Sequence, residues 1–246
     1  MQRVLARMLS LSAVTLFALV SARMVARDVR FVVVVVAVAL AFAIPTWVAR
    51  RRMRKLLLSG DIGRILGTWR GANGYAVTHP ETMTPLVTAT AYAAYGFIEP
   101  ARTALERASR GSAWEVATPQ RLFVEALLDV YEGDRALAIA KAETLEQMPL
   151  PDVGFWTKRK IAILRRGMAA FARAFAHASR VTDEKLLHRA SRSSPLVHWA
   201  MRYARAVALV DAGRKGEAAT LLDGAPRWPE ESAFRSFHDE LTAQLA

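Results

Sequence analysis

Residues 85–108 read PLVTATAYAAYGFIEPARTALERA, and this stretch decides the fold. Ala89 and Tyr92 precede Gly96 on one helical face, and a glycine at that point suits the turn that ends a helix. Pro100 suits the first turn of a second helix. That second helix repeats apolar residues on one face, namely Ala101, Leu105 and Ala108. The stretch therefore predicts two helices joined by a tight turn.

The same pattern recurs along the chain and indicates a helical repeat. Glycines end predicted helical stretches at intervals of 36, 37, 34 and 46 residues, and periods near 34 are typical of helix-turn-helix solenoids; these glycines are Gly60, Gly96, Gly133, Gly167 and Gly213. Further units cover 121–145, 155–179 and 202–229. The middle one has Lys160 where the pattern expects a small residue. Residues 229–245 predict a C-terminal capping helix with Phe234, Phe237 and Leu241 on one face.

These units resemble the tetratricopeptide-repeat family. The first unit matches by the residues named above. The second matches at Ala126, Gly133, Asp134, Ala138, Ala142 and Leu145, the third at Trp156, Gly167 and Ala172, and the fourth at Ala206, Gly213, Ala218, Leu222 and Ala225. The family's fold is an all-α solenoid, so the resemblance implies one for residues 56–246, with residues 56–69 as half of a degenerate first repeat.

In that family the first helix of each repeat lines a concave surface that binds a protein or peptide. The resemblance assigns to this groove Thr90, Phe123, Tyr131, Arg165 and Tyr203. They are apolar and aromatic more than basic, which favours an apolar or helical segment as the occupant. Phe123 and Tyr203 also fit a second interpretation, in which they form core between repeats.

The N-terminal 55 residues predict a membrane anchor. From Phe31 to Ala49 there are 19 uncharged, mostly apolar residues. A helix of that length extends about 28 Å, close to the hydrocarbon thickness of a bilayer. A shorter uncharged run, Met8–Ala22, extends to about 4–26 if its flanking arginines snorkel, which predicts a transmembrane helical hairpin. A signal peptide cleaved after Ala22 is the alternative.

Charge is concentrated in this anchor. The chain carries a net charge of +12, of which residues 1–55 contribute +9 and the remaining 191 residues only +3. The repeat region is therefore nearly balanced, and we expect no nucleic-acid partner. The basic flank that follows the second span consists of Arg50, Arg51, Arg52, Arg54 and Lys55. By the positive-inside rule it predicts a multi-pass protein of the bacterial inner membrane, with the repeat domain in the cytoplasm.

This plan of short N-terminal spans, a basic flank and a cytoplasmic helical array is similar to that of the bacterial inner-membrane proteins called HemY, which are associated with haem biosynthesis. The similarity is architectural and implies no haem site.

No pattern of catalytic or metal-binding residues stands out. The chain has no cysteine, its five histidines lack the spacing of a zinc helix, and its glycine-bearing segments do not match phosphate-binding loops. We therefore expect no enzyme activity, no cofactor and no metal. The predicted function is a membrane-anchored scaffold or adaptor that binds a protein or peptide.

Two alternatives stay open. Lys158, Arg159, Arg165 and Arg166 fall on one side of a predicted helix, either as a solvated face or as a contact for anionic lipid or an acidic partner. The other alternative is an accessory subunit of a membrane enzyme.

Overall fold

The computed structural model describes residues 30–72 and 78–245, and the regular elements of these residues are helical. This confirms the all-α prediction. The first apolar segment, 4–26, and the alternative signal peptide lie outside the described residues. The helices are α1 (Arg30–Leu58), α2 (Ile62–Ala72), α3 (Pro80–Ala94), α4 (Ile98–Ser109), α5 (Thr118–Glu132), α6 (Arg135–Gln147), α7 (Phe155–Phe175), α8 (Asp183–Ser193), α9 (His198–Asp211), α10 (Lys215–Leu222) and α11 (Ala233–Leu245), with a 3-10 turn at Pro195–Val197.

The chain forms two compact units, residues 1–53 and 54–246. The described part of the first unit belongs to α1, a 29-residue helix that contains the predicted span 31–49 and includes Pro45. Across the described ranges, we find no helix that combines the length and the apolar character needed to cross a membrane.

The second unit is built from helical hairpins. The pairs α3–α4, α5–α6, α7–α8 and α9–α10 each pack their two helices together, and the first helices α3, α5, α7 and α9 pack side by side. Three of the turns use the predicted glycines, Gly96, Gly133 and Gly213, at φ angles of 77°, 88° and 72°. A side chain is disfavoured in this left-handed region, so glycine permits the sharp reversal.

The third hairpin turns at a different residue from the predicted one. Gly167 lies inside α7, and a Cβ atom added there would be 2.4 Å from the Cβ of Ala190 in α8. Its role is to let the two helices approach closely. The left-handed turn residue is His177, with φ 54°, and its Nδ1 lies 2.9 Å from Oδ1 of Asp211. The prediction of a turn at Gly167 is wrong.

The position of His177 also corrects the register of this repeat. Seven residues before the four turn residues stand Ala89, Ala126, Ala170 and Ala206, all fully buried. Ala170 is therefore the small packing residue of the third unit, and Lys160 does not occupy that position. Small side chains here allow neighbouring helices to pack at short distance.

The C-terminal segment crosses several hairpins. Phe234 and Leu241 of α11 are buried, as the apolar face predicts. Just before the helix, Ser232 Oγ donates to the carbonyl oxygen of Tyr95 at 2.7 Å, and Ala233 N donates to that of Gly96 at 2.8 Å. The end of the chain thus contacts the first complete hairpin as well as the last one.

Candidate binding groove

An apolar cavity of about 430 Å³ opens among the first helices of the second unit. Helices α3, α5 and α7 contribute to its wall, together with the end of α6, the loop that follows it and the 3-10 turn. Its apolar lining includes Val116, Phe123, Leu145, Ile161, Leu164 and Val197. A concave, mostly apolar site of this size falls within the roughly 300–1,000 Å³ range of ligand pockets.

Three of the five predicted groove residues line this cavity together. Thr90 comes from α3, Phe123 from α5 and Arg165 from α7. The hydroxyl of Thr90 donates to the carbonyl oxygen of Leu86 at 2.7 Å, so this donor already has a hydrogen-bond partner within its own helix. Because the hairpins stack in register, residues that are far apart in the chain converge on one surface.

Arg165 is the charged group of the cavity. Its residue is 6% exposed, and its Nη1 donates to the carbonyl oxygens of Met148 and Pro149 at 2.6 and 3.3 Å. Burial lowers the pKa of the guanidinium. Among the ion pairs of the described residues, none joins Arg165 to a carboxylate. The cavity therefore combines apolar walls with one positive charge that lacks a counter-charge in this part of the chain.

This burial corrects the prediction that Arg165 shares an exposed basic face with Lys158, Arg159 and Arg166. Arg159 and Arg166 are exposed, and Lys158 is half-buried, with its Nζ 3.2 Å from Oδ1 of Asp152. Arg165 lies on the cavity side of α7, where its side chain forms part of the cavity wall. The exposed basic face of α7 is therefore smaller than the sequence pattern predicts.

Tyr131 and Tyr203 lie apart from the cavity, under the chain's own C-terminal segment. Tyr131 contacts the rings of Phe234 and Phe237 at 5.7 and 5.9 Å between centroids. Tyr203 stacks on Phe234 at 5.1 Å, and its hydroxyl accepts a 2.8 Å hydrogen bond from Trp228 Nε1. Both tyrosines therefore pack against the chain's own C-terminal segment in this structure.

Their hydroxyl groups differ in one respect. The Tyr131 hydroxyl is buried and has no hydrogen-bond partner among the described residues, and burial raises its pKa. Burial also raises the pKa of Tyr203 to about 12, against a smaller opposite effect of the hydrogen bond from Trp228. Both groups therefore stay neutral at physiological pH.

The basic flank of α1 is open to solvent. Arg50, Arg51, Arg52, Arg54 and Lys55 are all exposed, and the guanidinium of Arg51 lies 5.3 Å from the ring centre of Trp47. That arrangement is a cation–π contact of ordinary geometry. The charges are available to an anionic surface.

The sequence did not reveal the groups that hold the end of α1. Tyr95 Oη donates to the carbonyl oxygen of Leu57 at 2.6 Å, and Trp199 Nε1 donates to that of Leu58 at 2.9 Å. The last carbonyls of a helix have no partner within the helix, so two side chains from the repeat domain supply donors. No local sequence signal points to these pairs, which are 38 and 141 residues apart.

Three of the five histidines contact a polar group of another residue. His177 contacts Asp211, His198 contacts the carbonyl oxygen of Ser191 at 3.2 Å, and His238 contacts the Tyr203 hydroxyl at 3.1 Å. No three His, Asp or Glu side chains of the described ranges converge as metal ligands would.

No protein-family model, curated protein or solved structure matches this chain. The resemblances to tetratricopeptide repeats and to HemY proteins therefore stay predictions from the sequence.

Proposed function

We propose that this protein is a membrane-anchored helical-repeat adaptor whose apolar cavity binds a helical segment of a protein partner. The observation that carries the proposal is the convergence of Thr90, Phe123 and Arg165 on one open, mostly apolar cavity. The resemblance to tetratricopeptide repeats supports the same role, because first helices line the binding surface in that family. The proposal requires no cofactor and no catalytic step.

The lining of the cavity favours an amphipathic helix as the occupant. Ile161 and Leu164 on α7 and Leu196 beside it are only partly buried, so they leave apolar area for a partner to cover. A helix that lies in such a groove presents apolar anchors at i, i+3 or i+4, and i+7. Burial of that area supplies the binding energy, at roughly 25 cal/mol per Å² before the cost of association.

Arg165 favours a partner helix that carries a negative charge. A buried cation is costly unless an opposite charge or hydrogen-bond acceptors accompany it. Two backbone carbonyls satisfy only part of the five donors of a guanidinium. We propose that the partner helix carries an Asp or Glu beside its apolar anchors, and that this carboxylate accepts hydrogen bonds from the remaining guanidinium donors.

α1 is proposed as the membrane anchor on the strength of its sequence, although the described helix does not combine the length and apolar character of a span. Its sequence from Phe31 to Ala49 is uncharged, and several of its large apolar side chains are exposed, including Val33 at 71% and Trp47 at 59%. Apolar side chains exposed along one long helix need a cover, and a bilayer supplies it. By the positive-inside rule, the basic flank that follows supports the proposal that the repeat domain lies on the cytoplasmic side of a bacterial inner membrane. The architectural similarity to HemY proteins agrees with this proposal.

Site-specific photo-crosslinking tests the groove. The full chain carries benzoyl-phenylalanine at Gln120, an exposed residue of the cavity wall, and is irradiated in its host cell. We expect discrete protein adducts that disappear when Leu164→Asp places a charge in the cavity. Val181, which is 97% exposed and outside this cavity, is the matched control position. Equal adducts from both positions, or adducts that survive Leu164→Asp in a folded variant, contradict the groove.

Membrane extraction tests the anchor. We expect the full chain to stay with membranes in alkaline carbonate and to be released only by detergent. Replacing Val36 and Leu40 with Arg puts two charges in the apolar run, and this variant should appear in the carbonate supernatant. Retention of the variant would show that residues 31–49 are not required for membrane attachment. A reporter fused after Ala246 is expected to indicate the cytoplasm.

A further inference from the structure

A second exposed apolar surface lies between α6 and α7. It consists of four large apolar side chains in seven consecutive residues, namely Leu150, Val153, Phe155 and Trp156. Phe155 is 70% exposed and Trp156 is 72% exposed. Their rings contact each other at 5.5 Å in an edge-to-face arrangement. We call residues 150–160, which also include the first turn of α7, the aromatic tip.

Single exposed apolar residues are normal on a protein surface, but this arrangement is not scattered. Two adjacent aromatic residues project at the start of a helix, next to two further exposed apolar residues of the same loop. Contiguous apolar area of this kind marks a surface that another phase or molecule covers.

Basic residues follow the two aromatic residues after one threonine, Thr157. Lys158, Arg159 and Lys160 are consecutive, and Arg159 and Lys160 are exposed. The only acid within the tip is Asp152, which contacts Lys158. The tip therefore carries a net positive charge immediately beside its apolar side chains. An anionic bilayer offers the complementary pair, a negative headgroup layer directly above hydrocarbon.

We infer that the aromatic tip is a membrane-contact element that inserts Phe155 and Trp156 at the headgroup boundary of an anionic bilayer. Tryptophan is the side chain most typical of this boundary, because its ring is apolar and its N–H is polar. Arg159 and Lys160 bind the anionic headgroups above it. The inference rests on the proposed membrane anchor in one respect: a chain tethered to the bilayer keeps the tip at a high local concentration of lipid, so a weak contact suffices.

The absence of cysteine makes a direct test possible. Phe155→Cys provides a unique labelling site for the environment-sensitive fluorophore NBD in the full chain. The labelled protein is reconstituted in nanodiscs of phosphatidylcholine and phosphatidylglycerol, with and without a doxyl-labelled lipid as quencher. Val181→Cys, which is highly exposed in the turn before α8, is the matched control.

We expect the label at 155 to shift to shorter wavelength and to lose most of its emission with the doxyl lipid, while the label at 181 keeps its emission. Reversing Lys158, Arg159 and Lys160 to Glu should restore the emission at 155, and so should discs of phosphatidylcholine alone. Equal quenching at 155 and 181, or no quenching at 155, would overturn the inference. A shift at 155 that occurs without lipid and grows with protein concentration would assign the tip to a second copy of the chain instead.

This readout separates the tip from the other proposals. If the chain does not remain in the discs, the anchor has failed, and the same labelled chain added to vesicles of the same lipids tests the tip alone. The crosslinking experiment at Gln120 reports on the groove whatever the tip does.

Discussion

Trp199 donates its indole N–H to the carbonyl oxygen of Leu58, at 2.9 Å, and thereby joins the fourth hairpin to the last residue of α1. Tyr95 of the first hairpin does the same for the preceding carbonyl, of Leu57. Two hairpins that are separated by about a hundred residues therefore hold one helix end. The unpaired carbonyls at that end would otherwise be buried without donors.

The first prediction concerns this contact. Tyr95→Phe removes only the hydroxyl, and we expect the free energy of unfolding to fall by about 1–2 kcal/mol because the Leu57 carbonyl loses its donor in a buried site. A urea titration followed by tryptophan fluorescence measures the change. The control is Tyr92→Phe, whose hydroxyl is outside this contact and whose effect should be within about 0.5 kcal/mol. Equal losses would mean that the hydrogen bond to α1 contributes nothing.

The second prediction compares the buried hydroxyl groups of two tyrosines under the C-terminal segment. Tyr131→Phe removes a hydroxyl that has no partner in the described structure, so we expect unchanged or slightly higher stability. Tyr203→Phe leaves the indole N–H of Trp228 without its acceptor, and it should cost about 1–3 kcal/mol. The same chemical change thus has opposite consequences at the two sites. A large loss for Tyr131→Phe would reveal a partner for its hydroxyl.

The third prediction is a loss of stability at high pH. Burial raises the pKa of Tyr95, Tyr131 and Tyr203 above the ordinary value of 10, to about 12 for Tyr203. The folded state therefore keeps these phenols protonated where the unfolded chain ionises, and stability falls as pH rises above about 10. Below that pH the contribution is fully present.

Absorbance at 295 nm, which reports phenolate, measures this effect. We expect these three tyrosines to ionise together with unfolding, in a cooperative step, and the step should become less steep in Tyr131→Phe. Gradual ionisation of all tyrosines near pH 10 in a chain that is still folded would contradict the burial described above.

The repeat pattern predicted most of the second unit because its signals are local. Ala89 and Gly96 lie within one hairpin, and their spacing alone determines which face packs and where the chain reverses. Thr90 and Phe123 stand six and ten residues before their turn glycines, and they line one cavity because α3 and α5 pack side by side. Arg165 joined them although its own repeat was misaligned.

Long-range contacts were beyond prediction from this pattern. The turn at His177 was missed because a non-glycine residue adopts the left-handed conformation there, while Gly167 serves helix packing instead. The position of α11 depends on hydrogen bonds such as that of Ser232 to Tyr95, 137 residues apart. Sequence periodicity carries no information on such a pair, so Tyr131 was assigned to an open groove, and Tyr203 was left open between that groove and core between repeats.

The last prediction compares a helical glycine that lies against a neighbouring helix with one that faces open space. Gly167→Ala places a Cβ 2.4 Å from that of Ala190, and because both belong to packed helices, one helix must move. We expect a loss of about 1–3 kcal/mol, the usual cost of overpacking, despite the better helix propensity of alanine. Gly216→Ala in α10 is the matched control, since a Cβ there meets nothing within 4 Å.

That control should raise the free energy of unfolding by up to about 0.5 kcal/mol, because alanine loses less backbone entropy than glycine in a helix and Gly216 lies in the first turn of α10. Urea titrations of both variants against the parent chain measure the two changes, which should have opposite signs. A stabilising Gly167→Ala would mean that α7 and α8 are farther apart in solution than described.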